Sequence, residues 1–425
     1  MSIEIPAVHQ VSIFKIPEYK TIILDNGIPV HILQAPEPDV VRMDVVFDAG
    51  RIHENGRAIA KTTSVLLREG TKKMTSARIA KSLDFFGASL TSDASMDTAT
   101  VQVHCMGKYF EEVLTILDDI LKNPSFPDDE LSKFKIRILE KLEVELSKNE
   151  VLAYRHFTEK IFGAGHPYGY NTMPEDYKAI RTNQLVEHHK KNYTANKCKI
   201  FITGNIDENK IKLINKTLGY IDKTPVVDSK IEYKKPIESV GVSKYNTERI
   251  HQTAIRIGRK LFSRNHKDYA GMYLLNTILG GYFGSRLSSN IREDKGYTYG
   301  IYSTIDMMIK DGYFMISTDV GSQYLEDTLS EIYKEIDILK TEKIDEEELQ
   351  LVKNYIKGNF LSLINGNLNS LNIIKTVELA GLDKSFYTDF VDEISNMNAD
   401  HLMALANKYL NKEDFVEIQV GDTKR

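Results

Sequence analysis

Ile202-Thr-Gly204-Asn205 and Gln419-Val-Gly421-Asp422 close two apolar runs of the same kind, 217 residues apart. The match between them decides how the chain is organised. Working back from each glycine, the same order of patterns recurs. In the first half, Val40–Gly50 alternates like a strand and Ala58–Arg68 has helical spacing. Thr75–Phe86 reads as a second helix, begun by Thr-Ser and closed by Gly87. Thr98–Cys105 is a strand and Tyr109–Leu121 an amphipathic helix. A long helix runs to Leu146, with Asp128 and Asp129 at its positive N-terminal end. The second half gives strand Thr253–Arg259, helices Tyr269–Leu279 and Ser285–Glu293, and strand Gly312–Asp319. An amphipathic helix Tyr324–Leu339 and a long helix Asp345–Leu361 complete it. The later elements correspond at roughly 214–217 residues. The spacing predicts an α+β chain of two duplicated domains, each a mostly antiparallel sheet with a layer of helices. The boundaries are residues 1–220 and 247–425, joined by a linker over 221–246 that holds Pro225 and Pro236 without periodic hydrophobicity.

The composition narrows the function. The chain has 425 residues, more than a single core usually accommodates. A net charge of −5 on this length argues against a nucleic-acid partner. The two cysteines, Cys105 and Cys198, each sit in a strand-like apolar run and read as buried thiols without a disulfide framework. The first residues carry neither a basic start nor an apolar core, and no apolar run is long enough to span a membrane. A cytoplasmic location is the expectation.

Several stretches resemble the pitrilysin (insulinase-type, mitochondrial-processing-peptidase-type) family of zinc peptidases. Leu24-Asp-Asn-Gly-Ile-Pro-Val-His31 is similar to the family's opening strand, and Phe47-Asp-Ala-Gly50 to the strand before its zinc helix. Phe162-Gly-Ala-Gly-His-Pro-Tyr-Gly169 resembles its mid-domain loop. His189–Lys197 with Ile200–Gly204 resembles the end of its first domain. Leu279-Gly-Gly-Tyr-Phe-Gly-Ser-Arg-Leu287 and Ile291-Arg-Glu-Asp-Lys-Gly-Tyr-Thr-Tyr299 resemble its second-domain signature.

The resemblance implies a metal site that this chain does not carry. Active members present His-x-x-Glu-His on the first helix, so that both imidazoles share one face and the Glu acts as general base. Aligned through Gly70-Thr71, the two His positions fall on Lys61 and Val65 and the base on Ser64. The third ligand falls on Lys141, or on Glu140 if the register shifts by one. No other His-x-x-Glu-His or His-Glu-x-x-His exists in the chain, and the adjacent His188 and His189 would diverge by ~100° on a helix. The expectation is no metal here, with zinc held instead by a partner subunit.

The resemblance also implies what remains. Arg292 and Tyr299 match the family's pair that grips substrate backbone and stabilises the oxyanion, as fixed donors can. From spacing alone they read equally as a residue of a surface charge run and a strand tyrosine facing a core. Gly280, Gly281 and Gly284 form a glycine-rich loop, by resemblance near the substrate cavity and by local chemistry a helix end and turn. The expected function is a non-catalytic subunit of a heteromeric zinc peptidase for unfolded peptides, with a homologous His-x-x-Glu-His chain as partner. Without that partner a homodimer is possible. A purely structural subunit is the alternative. An independent hydrolase is disfavoured, since no Gly-x-Ser-x-Gly occurs.

Overall fold

The computed structural model describes residues 16–223, 240–248 and 251–422. The N-terminal part runs β1 (Lys20–Ile23), β2 (Pro29–Gln34), β3 (Val40–Phe47), α1 (Ile59–Leu66), α2 (Ser76–Phe85), β4 (Ser89–Ala94) and β5 (Ala99–Met106). It continues through α3 (Phe110–Lys122), α4 (Asp128–Leu146), α5 (Asn149–Phe162), α6 (Pro174–Ala179), α7 (Thr182–Asn192), β6 (Cys198–Gly204) and α8 (Glu208–Leu218). The C-terminal part runs β7 (Gly241–Asn246), β8 (Gln252–Leu261), α9 (Tyr269–Asn276), β9 (Thr298–Met307), β10 (Gly312–Gly321) and α10 (Leu325–Thr341). Then come α11 (Glu346–Ile364), α12 (Asn367–Ala380), α13 (Phe386–Asn396), α14 (Ala399–Tyr409) and β11 (Val416–Gly421). These elements form two compact units. Leu152–Phe157 of α5 belong with the C-terminal unit and the rest of α5 with the N-terminal one.

The N-terminal sheet has the order β1-β2-β6-β3-β5-β4, and the C-terminal sheet β7-β11-β8-β10-β9. Apart from the extra β1, the two orders are the same. In each, one parallel pair (β2 with β6, β7 with β11) sits among antiparallel pairs. The duplication extends to single atoms. Gly204 and Gly421 close their strands at φ +137° and +145°. A Cβ on Gly204 would lie 2.7 Å from the Val40 carbonyl oxygen, and one on Gly421 2.5 Å from that of Gln252. The opening pair of motifs is thus set by one requirement met twice, a strand end that only glycine lets pass.

Each sheet buries one face under helices. Val41, Met43, Val45, Val101 and Val103 meet Val113, Leu117 and Ile120 of α3 in the N-terminal core. Ile255, Ile257, Phe314 and Ile316 meet Leu329, Ile332 and Ile336 of α10 in the C-terminal core. The i, i+3, i+4 spacing of those helix residues is the amphipathic pattern legible in the sequence. On the opposite faces each sheet buries an arginine. Arg42 grips Asp44 through both carboxylate oxygens at 2.9 and 2.7 Å, and Arg256 meets Asp319 at 3.3 Å. Both cysteines are buried and unpaired, and burial pushes the Cys105 thiol up to about 12, far from reactive thiolate.

Two expectations need correction. The linker over 221–246 ends in a strand: Gly241–Asn246 pairs in parallel with β11. Its residues alternate between exposed and half-buried, so its own side chains carry no strand signal and the pairing defines it. Most of that linker, 224–239, lies outside the described residues. The helices expected at Tyr269–Leu279 and Ser285–Glu293 are also not plain α-helices. The α-form stops at Asn276, and residues 277–281 and 288–294 take the wider π form. The Ser303 hydroxyl donates to the Asn276 carbonyl at 3.1 Å, taking an acceptor the helix would use.

The paired histidines of α7 illustrate burial without ligation. His188 Nε2 sits 3.1 Å from the Ala49 carbonyl, and His189 Nε2 2.9 Å from that of Leu121. Burial lowers both to about 4. The unfolded chain therefore binds protons that the native state refuses between pH ~6.5 and ~4. Stability is full above that window and falls as the pH drops through it, by up to about 3 kcal/mol per histidine. Glu54, which burial pushes up to about 7, acts in the opposite sense. The comparison of variants carries the test: His189→Gln should flatten the fall in urea midpoint between pH 6.5 and 4.5. The strand-closing glycines give a second test. Gly204→Ala and Gly421→Ala should each cost about 2–3 kcal/mol, read from urea midpoints. Gly87→Ala, at φ +58° with nothing within 4 Å, should cost only about 1 kcal/mol.

Candidate functional site

The zinc-helix positions lie on α1, which packs against the edge strand β4. Ala58 enters the helix at φ +65°, and the Glu54 carboxylate caps it, accepting from the N–H groups of Ala58 at 3.3 Å and Ala60 at 2.8 Å. Lys61 points to solvent. Ser64 is fully buried, its hydroxyl 2.8 Å from that of Ser92 on β4. Val65 packs against the apolar core. Glu140 and Lys141 are both exposed on α4. Among the described residues, no three His, Cys, Asp or Glu side chains gather as a metal would need. The chemistry at these positions is that of a hydroxyl pair, an aliphatic contact and a surface ammonium.

The second set of positions converges. In the C-terminal unit a groove of about 780 Å³ is lined by Gly280, Gly281, Arg292 and Tyr299, with Phe283, Tyr302, Asp306 and Tyr154. Three local features shape it. The first is the glycine segment. A Cβ on Gly280 would lie 2.6 Å from the Ser303 backbone nitrogen, so this residue lets the π turn lie directly on edge strand β9. Asn276 Nδ2 also reaches the Ser303 carbonyl, at 3.4 Å. Gly284 sits under the Tyr282 ring, where a Cβ would come within 2.9 Å. The glycines thus serve close packing at a helix end and in the turn that follows it.

The second feature is the anchoring of the segment that carries Arg292. Arg286 makes a bidentate pair with Glu348, at 2.9 and 2.7 Å. Asn290 donates to Glu331 at 2.9 Å and to Glu335 at 2.7 Å, and Lys295 meets Glu331 at 3.2 Å. The third is the presentation of the two donors. The Arg292 guanidinium lies 3.5 Å from the Phe283 ring centroid, and its Nη2 donates to Glu293. Its Nε is buried and without a hydrogen-bond partner. Tyr299 is 98% exposed, whereas Tyr297 stacks on Tyr324 with centroids 4.8 Å apart. The strand tyrosine Tyr299 therefore does not face the core, whereas Tyr297, just before β9, packs against it.

This arrangement offers donors, the Arg292 guanidinium and the Tyr299 hydroxyl, beside an aromatic shelf. Sequence reasoning missed Tyr154, Phe283, Tyr302 and Asp306. Tyr154 comes from a distant helix, and no local pattern could place it there. Phe283, an aromatic residue 73% exposed between flanking glycines, is the one with a readable signal.

Comparisons with known proteins agree with this fold. The model described as insulinase (peptidase family M16) matches residues 30–173, and that described as peptidase M16 inactive domain matches residues 179–356. A Bacillus subtilis relative named "uncharacterized zinc protease YmxG" is 23% identical over 401 residues, covering 91% of this chain and 95% of its own. A Helicobacter pylori relative named "non-peptidase homolog YmxG" is 24% identical over 417 residues, with 93% and 94% covered. A solved peptidase M16 inactive domain from Pseudomonas fluorescens superposes with a TM-score of 0.85 at 25% identity, covering 95% of this chain and 98% of its own. With family models matching both halves, and the fold shared from end to end, the chain belongs to the insulinase family of peptidases, M16.

Proposed function

We propose that this chain is the non-catalytic subunit of a heteromeric zinc metallopeptidase acting on unfolded peptides. A homologous partner carrying His-x-x-Glu-His would hold the zinc. This chain would supply Arg292 and Tyr299, which hold a backbone carbonyl of the substrate and strengthen as its oxygen gains charge. One observation carries the reading. Two donors seven residues apart in sequence line one groove: the half-buried Arg292 guanidinium, whose Nε has no partner, and Tyr299, which stands almost wholly in solvent. Packing gives the exposed Tyr299 no reason to stand there. The family's two zinc-histidine positions hold Lys61 and Val65, its general-base position holds buried Ser64, and its third-ligand position falls on exposed Lys141 or Glu140; neither Lys61 nor Val65 replaces an imidazole at a metal.

A second reading has its own support. Phe283 and Glu293 engage the Arg292 guanidinium, as they would if the residue only held its loop. A purely structural subunit follows from that reading.

The two separate cleanly. The purified chain should bind no stoichiometric zinc by metal analysis and cleave no peptide. Mixing with the zinc-motif chain should produce chelator-sensitive cleavage of unfolded peptides. In that pair, Arg292→Ala and Tyr299→Phe should each lower kcat/KM about 10²-fold while assembly stays intact. Chelator-sensitive activity in the pure chain overturns the proposal. Full activity in both variants selects the structural reading.

A further inference from the structure

A second cavity lies in the C-terminal unit and shares no lining residue with the groove. It encloses about 320 Å³, at the lower end of the range that takes a small ligand. The loop between β8 and α9, the loop between α12 and α13, and α13 itself form most of its wall. On α13, Phe386, Asp389, Phe390 and Glu393 follow at i, i+3, i+4 and i+7, so two rings and two carboxylates share one helix face. Tyr269 of α9 extends the apolar part, its ring centroid 6.0 Å from that of Phe386 and 5.4 Å from that of Phe390.

The charges around these rings are of both signs and do not meet. Arg264 and Lys267 stand on the loop before α9, and Asp383, Asp389 and Glu393 on the other two segments. Among the described residues none of these five forms an ion pair. The half-buried Arg264 has only a long bond, from Nη1 to the Tyr387 hydroxyl at 3.4 Å. Neighbouring Asp268 is the contrast, with Lys408 and Tyr409 each donating to its Oδ2 at 2.6 Å. Asp389 and Glu393 are like charges one turn apart on a helix without a basic residue. Burial and the Asp389 charge raise the Glu393 carboxyl above its ordinary value. His266 adds a neutral donor to the cationic side. Its Nδ1 accepts from the Asp268 N–H at 3.1 Å, which leaves the ring proton on Nε2.

We propose that this cavity binds a free amino acid with an apolar side chain. Its carboxylate lies at Arg264, its ammonium at Asp389 and Glu393, and its side chain against Phe386 and Phe390. A simple cation is repelled by Arg264 and Lys267, and a simple anion by the three carboxylates. A neutral apolar molecule leaves both sets of charges unmatched. A zwitterion meets both at once, and the Arg264 guanidinium offers the parallel donors a carboxylate fits. The cavity stands apart from the groove, so its ligand is independent of any peptide held at Arg292 and Tyr299.

Ligand-observed NMR titration of the full chain supplies the test. The compounds are phenylalanine, phenylalaninamide without the carboxylate, N-acetylphenylalanine without the ammonium, and glycine without the side chain. Phenylalanine should bind about tenfold or more tightly than each of the others. Arg264→Gln should lower phenylalanine to the level of its amide and leave the amide unchanged. The double variant Asp389→Asn, Glu393→Gln should lower it to the level of the N-acetyl derivative. Misfolding would weaken all compounds alike, so these selective losses report recognition. Asp392→Asn, a like charge change on α13 outside the cavity, should leave every affinity as it was. Absence of saturable binding up to about 10 mM phenylalanine overturns the proposal. So does equal binding of phenylalanine and its two derivatives, or a loss in Arg264→Gln that is the same for phenylalanine and its amide. Tighter binding of glycylphenylalanine than of phenylalanine overturns the free amino acid as the ligand.

Discussion

The contact on which the groove depends is the approach of Gly280 to the backbone nitrogen of Ser303. A sheet edge is an exposed row of unpaired N–H and C=O groups, and it must be covered, shortened or paired. Here the cover is a helix end laid directly on the strand. The absence of one Cβ permits the approach, and Asn276 and Ser303 hold it by exchanging hydrogen bonds between side chain and backbone. The Asn276 carbonyl accepts from Ser303 at the point where the α-ladder gives way to π geometry. The segment from Tyr282 to Asp294 starts from that displaced turn. Arg292 therefore owes its place in the groove to a packing constraint ten or more residues earlier in the chain.

The N-terminal unit uses the same device with other atoms. There α1 packs against edge strand β4, and the Ser64 and Ser92 hydroxyls meet at 2.8 Å. Strand order, parallel pair and strand-closing glycines all repeat between the units. The helix that crosses the edge strand is thus a common element with two fates. In the N-terminal unit the contact is closed by small hydroxyls and aliphatic packing. In the C-terminal unit it leaves a groove with donors at one end. The duplication explains why one half can change its chemistry while the other keeps its own. Each unit has its own core, so substitutions on one edge helix do not disturb the other edge.

How far the sequence was legible follows from where each signal resides. The amphipathic helices α3 and α10 declare themselves, because burial on one face imposes a period that the residues must obey. Gly204 and Gly421 are legible for a similar reason, since a positive φ beside a neighbouring carbonyl tolerates little else. Strand β7 is not legible. Its Gly-Val-Ser-Lys-Tyr-Asn owes its extended form to β11, and pairing by backbone leaves no mark on exposed side chains. The π turns were hidden in the same way, because Ser303 is 27 residues from the carbonyl it captures. At the site, Arg292 and Tyr299 were found through resemblance, and their spacing alone left them ambiguous. Asp306 and Tyr154 carry no local signal, since a groove lined from a strand and a distant helix is a property of the tertiary fold.

The loss of metal-binding residues from α1 is cheap for a physical reason. A catalytic metal site is built from side chains on a helix face that must stay open to substrate, so those side chains carry little of the core. The stability of α1 resides elsewhere: in Leu66 and Leu67, fully buried, and in the Glu54 carboxylate that caps its first turn. Lys61 can stand in solvent, and Val65 can join the edge of the core without changing that frame. Ser64, fully buried, shows the remaining constraint. A hydroxyl there would be costly if left unpaired, and Ser92 supplies its partner. The N-terminal edge helix is therefore held by residues other than those at the family's zinc positions, and the C-terminal groove is built on a separate core.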